Sequence, residues 1–80
     1  MKVLVRMFAA YREMAGVSEI EVDLPTDSTV RNLLEYIGGI YVGLPSREYM
    51  VVAVNYQYAD HDLSLSDGDE IAFIPPVSGG

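Results

Sequence analysis

The sequence closes on Pro75-Pro76-Val77-Ser78-Gly79-Gly80, and the chemistry those residues suit belongs to the carboxylate of Gly80. Glycine has no Cβ, so a Gly-Gly end can enter a channel too narrow for any other residue. Its carboxylate is the least hindered acyl group a protein can offer. A stiff apolar-proline stretch leads into the two glycines. Such an arm fits chemistry performed on the terminal carboxyl group inside another protein. The bland alternative is a frayed end, since termini are often disordered and glycine is common there. The paired prolines and the stop after the second glycine favour the functional alternative.

Few other residue types compete for a chemical role. There is no cysteine, which excludes a disulfide framework and a thiolate metal site. Any sulfur carried by this chain would have to sit on a modified carboxylate. His61 is the single histidine, flanked by Asp60 and Asp62; a lone histidine in a polar loop is more often neither ligand nor base. Asp60 to Glu70 has a faint calcium-loop look, but Leu65 stands where the sharp turn needs glycine. No metal site is expected. The six tyrosines have no basic interleaving and do not read as a base-stacking platform. The formal charge of -7 argues against nucleic acid, whose phosphates would repel it, and favours a partner with a basic docking face. Lys2 is the only lysine. No apolar run reaches the roughly 18 residues of a membrane span, and nothing at the start reads as a signal peptide. The expectation is a soluble, cytoplasmic protein that meets no membrane.

A chain of 80 residues is expected to form one domain, residues 1–80, with 75–80 as a protruding tail. Residues 2–8 alternate as a strand, with Val3, Val5 and Met7 toward a core and Leu4, Arg6 and Phe8 on the other face. Ala9 to Ala15 reads as a short helix ended by Gly16. Residues 18–24 read as a half-buried strand with Glu19, Glu21 and Asp23 outward, closed by Pro25. Thr29 is the expected N-cap of a longer helix. Its stripe of Val30, Leu33, Leu34, Ile37 and Tyr41 faces a sheet, although Gly38-Gly39 weakens it by about 1 kcal/mol per glycine. Residues 49–54 read as a buried strand and Gln57-Tyr58-Ala59 as a short edge strand. A polar turn over 65–70 leads into a last strand, Glu70 to Ile74. One main helix on a small mixed sheet is an α+β fold in two layers.

Residues spread over nearly the whole chain carry a family resemblance. They are Phe8-Ala9, Tyr11-Arg12-Glu13 and Gly16, then Thr29-Val30, Leu33-Leu34 and Ala53-Val54-Asn55. The most specific are Asp67-Gly68-Asp69-Glu70, followed at fixed distance by Pro75-Pro76-Val77-Ser78-Gly79-Gly80. The chain resembles the small, sulfur-carrying subunit of molybdopterin synthase. That resemblance implies a ubiquitin-like β-grasp fold. It also implies a cycle in which an ATP-dependent, E1-like activating enzyme adenylates Gly80. A sulfur donor protein then displaces the adenylate to leave a thiocarboxylate, a strong nucleophile near neutral pH. The loaded tail enters the large synthase subunit, in a heterotetramer with two of each chain, and gives its sulfur to a cyclic pterin phosphate precursor. The dithiolene needs two sulfurs, so two loaded chains are consumed per pterin. Pro75 and Pro76 would lower the entropy lost on threading, Val77 and Ser78 line the entry, and Gly79 and Gly80 permit close approach. The chain would bind no cofactor itself and would not be catalytic alone. Phe8 and Ile74, with Leu4 and Ala72 beside them, are the expected docking face on the solvent side of the sheet. Three other functions share these features: a sulfur carrier for thiamine or a tungsten cofactor, a ubiquitin-like modifier joined to lysines through Gly80, and a plain interaction module.

Overall fold

The structure is a computed structural model that describes residues 1–44 and 47–75. Its elements run β1 (Lys2–Met7), α1 (Ala9–Ala15), β2 (Glu19–Asp23), α2 (Val30–Ile40), a 3₁₀ turn over Arg47–Tyr49, β3 (Val51–Val54), β4 (Gln57–Ala59) and β5 (Glu70–Ile74). The five strands form one mixed sheet in the order β2-β1-β5-β3-β4. β1 and β5 are parallel, with Val5 opposite Ile71 and Met7 opposite Phe73. The β1–β2, β3–β5 and β3–β4 pairs are antiparallel. This is the expected α+β architecture, with the first and last strands side by side at its centre.

Alternation along the central strands sorts their side chains onto two faces. Val3, Val5 and Met7 of β1 join Ile71 and Phe73 of β5 and Val52 of β3 in one buried cluster with Val30, Leu33, Leu34 and Ile37 of α2. Thr29 caps that helix as its position suggests. Its hydroxyl accepts the Asn32 N–H at 3.3 Å, and the Asn32 side chain accepts the Thr29 N–H at 2.9 Å. This reciprocal pair satisfies two amides that the first helical turn leaves over. Gly38 and Gly39 stay helical, because buried Ile37 anchors the turn and its carbonyl accepts the Tyr41 N–H at 2.9 Å. α2 ends at Ile40 with Tyr41 as its C-cap, so the last residue of the expected stripe stands just outside the helix.

Two boundaries differ from the sequence expectation in ways that matter for the open face. Phe8 is not part of β1. Its carbonyl accepts the Tyr11 N–H at 3.0 Å, which commits Phe8 to capping α1 instead of extending the ladder. The strand expected from Tyr49 starts only at Val51. Tyr49 belongs to the 3₁₀ turn, and the Met50 carbonyl is taken at 2.9 Å by His61 Nε2–H, so no neighbouring strand receives it. That bond gives His61 a structural task. Among the described residues no group of three or more histidines, cysteines and acids is placed to hold a metal ion, and no helix is long and apolar enough to cross a membrane.

Candidate functional site

The face of the sheet away from the core is built from small residues on its floor and aromatic rings around them. Ala53 on β3 lies opposite Ala72 on β5, and Tyr58 on β4 lies opposite Ala53. Arg6 on β1 pairs with Ala72 from the other side. A groove of about 330 Å³ follows, lined by Arg6, Phe8, Ala53, Tyr56, Tyr58, Glu70, Ala72 and Ile74. Glu70, Ala72 and Ile74 are alternate residues of β5, so the groove follows that strand for roughly 13 Å at 3.3 Å per residue.

One end of the groove is apolar and one end is polar. Ile74 and Phe8 mark the apolar end, beside which the chain continues into half-buried Pro75. At the other end the Arg6 guanidinium stands 3.5 Å from the Glu19 carboxylate and 3.6 Å from that of Glu70. All three side chains remain partly exposed, so together they fix orientation more than they add stability. The Tyr56 phenol is pushed above its ordinary value, first by hydrogen bonding to Glu70 and then by the charge of that carboxylate.

The polar end is pinned from beneath by Asn55. Its backbone N–H donates to the Glu70 carbonyl at 2.8 Å. Its side-chain oxygen accepts the Glu70 N–H at 3.0 Å, and its side-chain amide donates to Asp69 at 3.0 Å. Asp69 also accepts the Ser66 N–H at 2.7 Å, while Asp67 accepts the Lys2 N–H at 2.7 Å. Gly68, at φ +85°, takes a conformation that costs glycine little. The aspartates of this motif thus build the turn that launches β5, as their spacing suggests.

Of the expected docking residues, the fold brings Phe8, Ala72 and Ile74 to one groove. Leu4 shares their face but lies in a separate hollow of about 240 Å³ with Lys2, Glu21 and Asp67. Phe8 is 47% exposed, and the aromatic of α1 that is buried is Tyr11; Phe8 is therefore free to face a partner. Pro76, Val77, Ser78, Gly79 and Gly80 lie outside the described residues. Sequence reasoning missed Tyr56, Tyr58, Ala53 and the polar end at Arg6 and Glu70. The alternation of Tyr58 against Gln57 and Ala59 was the one available signal, and it does not say which strands lie beside β4.

Strand order β2-β1-β5-β3-β4 with a parallel central pair and α2 crossing between β2 and β3 is the ubiquitin-like β-grasp arrangement. Residues 5–80 match the ThiS family, and the chain belongs to that family. It is 44% identical over 78 residues to the molybdopterin synthase sulfur carrier subunit of Dictyostelium discoideum, covering 92% of this chain and 91% of that one. Among solved structures it is similar to SAMP1 of Haloferax volcanii, with a TM-score of 0.89, 31% identity and full coverage of both chains. It is also similar to a chain in the complex of subunits 1 and 2 of the molybdopterin-converting factor of Helicobacter pylori, with a TM-score of 0.69, 27% identity and full coverage of both chains.

Proposed function

We infer that this chain is the sulfur carrier subunit of molybdopterin synthase. The similarity to the Dictyostelium subunit over nine-tenths of both chains carries this reading. Two features of the molecule support it. A tail of Pro75-Pro76-Val77-Ser78-Gly79-Gly80 follows directly on the central strand β5. An apolar groove lies along that same strand, where a protein receiving the tail would rest.

The reaction starts at the Gly80 carboxylate, which an activating enzyme couples to ATP, forming an acyl-adenylate and releasing pyrophosphate. A persulfide on a donor protein attacks the acyl carbon and displaces AMP, giving an acyl disulfide. A second thiol then attacks the donor's own sulfur, forming a disulfide with it and releasing Gly80 as the thiocarboxylate. In the large synthase subunit this sulfur bonds to a side-chain carbon of the pterin precursor, from which an oxygen substituent departs, and hydrolysis of the acyl–sulfur bond leaves the sulfur on the pterin and returns the Gly80 carboxylate. The work of this chain is to hold the arm and present a face. Basic groups that steer the chemistry come from the large subunit, in line with the charge of -7 on this one. Phe8, Ala72 and Ile74 form the docking surface at the root of the tail.

Intact-mass measurement of the chain produced with its activating enzyme tests this. The expected product gains the mass of one sulfur in place of one oxygen at the terminus, and Gly80→Ala abolishes transfer while leaving the fold intact. A chain that never takes up sulfur would overturn the reading. A second reading, as a protein modifier, draws on the similarity to SAMP1, the small archaeal modifier protein 1. Conjugates that resist reducing agent, joined through Gly80 to lysines of other proteins, would favour it.

A further inference from the structure

The hairpin joining β3 to β4 contains a residue of the wrong type for its backbone. Val54 pairs with Gln57, so the loop is the two residues Asn55 and Tyr56, at φ +51° and +70°. Two consecutive positive φ values define a type I′ turn, whose preferred sequence is Asn-Gly. Asn55 fits. Tyr56 stands where glycine belongs, and a bulky residue with positive φ is a genuine outlier. Among the described residues, the other non-glycine residues with positive φ are Ala9, Asp27 and Asn55; of these, Asp and Asn tolerate the conformation well. Tyr56 is 83% exposed, so burial of its ring does not offset the strain. Such strain is kept where surrounding structure or function demands it.

Its position supplies the demand. Tyr56 walls the polar end of the groove, beside Glu70 and Arg6, while Phe8 and Ile74 stand at the end from which the tail departs. A protein that receives the tail and lies along the groove meets Tyr56 last, some four residues of β5 away from Ile74. Exposed tyrosines in this setting are frequent anchors of binding energy, because they bring large rigid area at low entropic cost.

Accepting the function proposed above, on which this step rests, we propose that Tyr56 is a strained aromatic anchor that grips the large synthase subunit at the end of the groove remote from the tail. The large subunit is the occupant because the groove is continuous with the root of the tail and because the chain's charge of -7 suits a basic partner. Tyr56 acts on docking and not on the acyl chemistry, which takes place beyond the opposite end.

The test uses the full chain, its cognate large subunit and two variants, Tyr56→Gly and Tyr56→Phe. Tyr56→Gly restores the favoured Asn-Gly turn, so its thermal midpoint stays level or rises. Its affinity for the large subunit falls at least fivefold. Sulfur transfer from loaded chain keeps its rate at saturating large subunit and needs proportionally more of it to saturate. Tyr56→Phe binds within fivefold of the original. A Tyr56→Gly chain that binds within fivefold overturns the proposal. So does a fall in its thermal midpoint, which would make the ring structural, or an equal loss in Tyr56→Phe, which would assign the role to the hydroxyl. Wild-type chain that takes up no sulfur sinks the proposed function instead, a result read by mass before any binding is measured.

Discussion

The two faces of the sheet use the same strands for opposite ends. On β5, Ile71 and Phe73 point one way and are fully buried. Glu70, Ala72 and Ile74 point the other way and line an open groove. The buried face holds large aliphatic and aromatic side chains packed under α2, where each apolar group removed from water adds stability. The open face has a floor of alanines with rings at its margins. Alanine contributes little to a core but leaves room for another protein's side chain. One strand therefore divides its residues between holding the domain together and lining an open groove, and adjacent positions should respond differently to substitution.

Phe73→Ala should have the largest effect. A buried phenylalanine truncated in place costs about 3–5 kcal/mol, against a total of roughly 4–12 kcal/mol for a domain of this length. Urea unfolding should show a chain that is marginal or unfolded at room temperature. Ala72→Gln, one position away, should leave unfolding within about 0.5 kcal/mol yet fill the groove floor and weaken large-subunit binding about tenfold, read by calorimetry. If both substitutions cost the same stability, the division between faces is wrong. Thr29→Ala should cost about 1 kcal/mol by removing the α2 cap and leave binding unchanged, since α2 covers only the buried face.

The smallest effect is on pH dependence. Burial raises the Tyr11 phenol above its usual 10.0. The folded chain thus holds this proton more tightly than the unfolded chain. The stability it contributes is whole below pH 10.0 and is lost as pH climbs through the raised folded value. Urea midpoints should fall above that pH, and Tyr11→Phe should flatten the fall.

Much of this was legible in the sequence because it rests on local pattern. Alternation from Val3 to Met7 fixed β1, Thr29 just ahead of the Val30-to-Ile37 stripe marked the start of α2, and Asp67-Gly68-Asp69 announced a turn. The misreadings were also local. Tyr49-Met50 is apolar enough to extend a strand, but its last carbonyl goes to His61, eleven residues on, which no periodicity foretells. The groove was half legible. Ala72 and Ile74 follow from alternation within β5, and Phe8 from the alternation of β1 carried one residue past its end. Tyr56 and Tyr58 join them only through the order β5-β3-β4, a long-range fact with no local signature. The strain at Tyr56 was in principle readable, since Asn55 followed by anything but glycine in a two-residue hairpin is a mismatch, but only once the hairpin's length is known.

The placement of β5 has a mechanical consequence. The strand is bonded along one edge to β1 and along the other to β3, and its start is clamped by Asn55. A force applied to β5 along its own axis loads both ladders in shear, so their bonds share it instead of opening one by one. A strand held on both edges in this way resists being drawn out of its sheet far more than an edge strand such as β4, which is bonded to β3 alone.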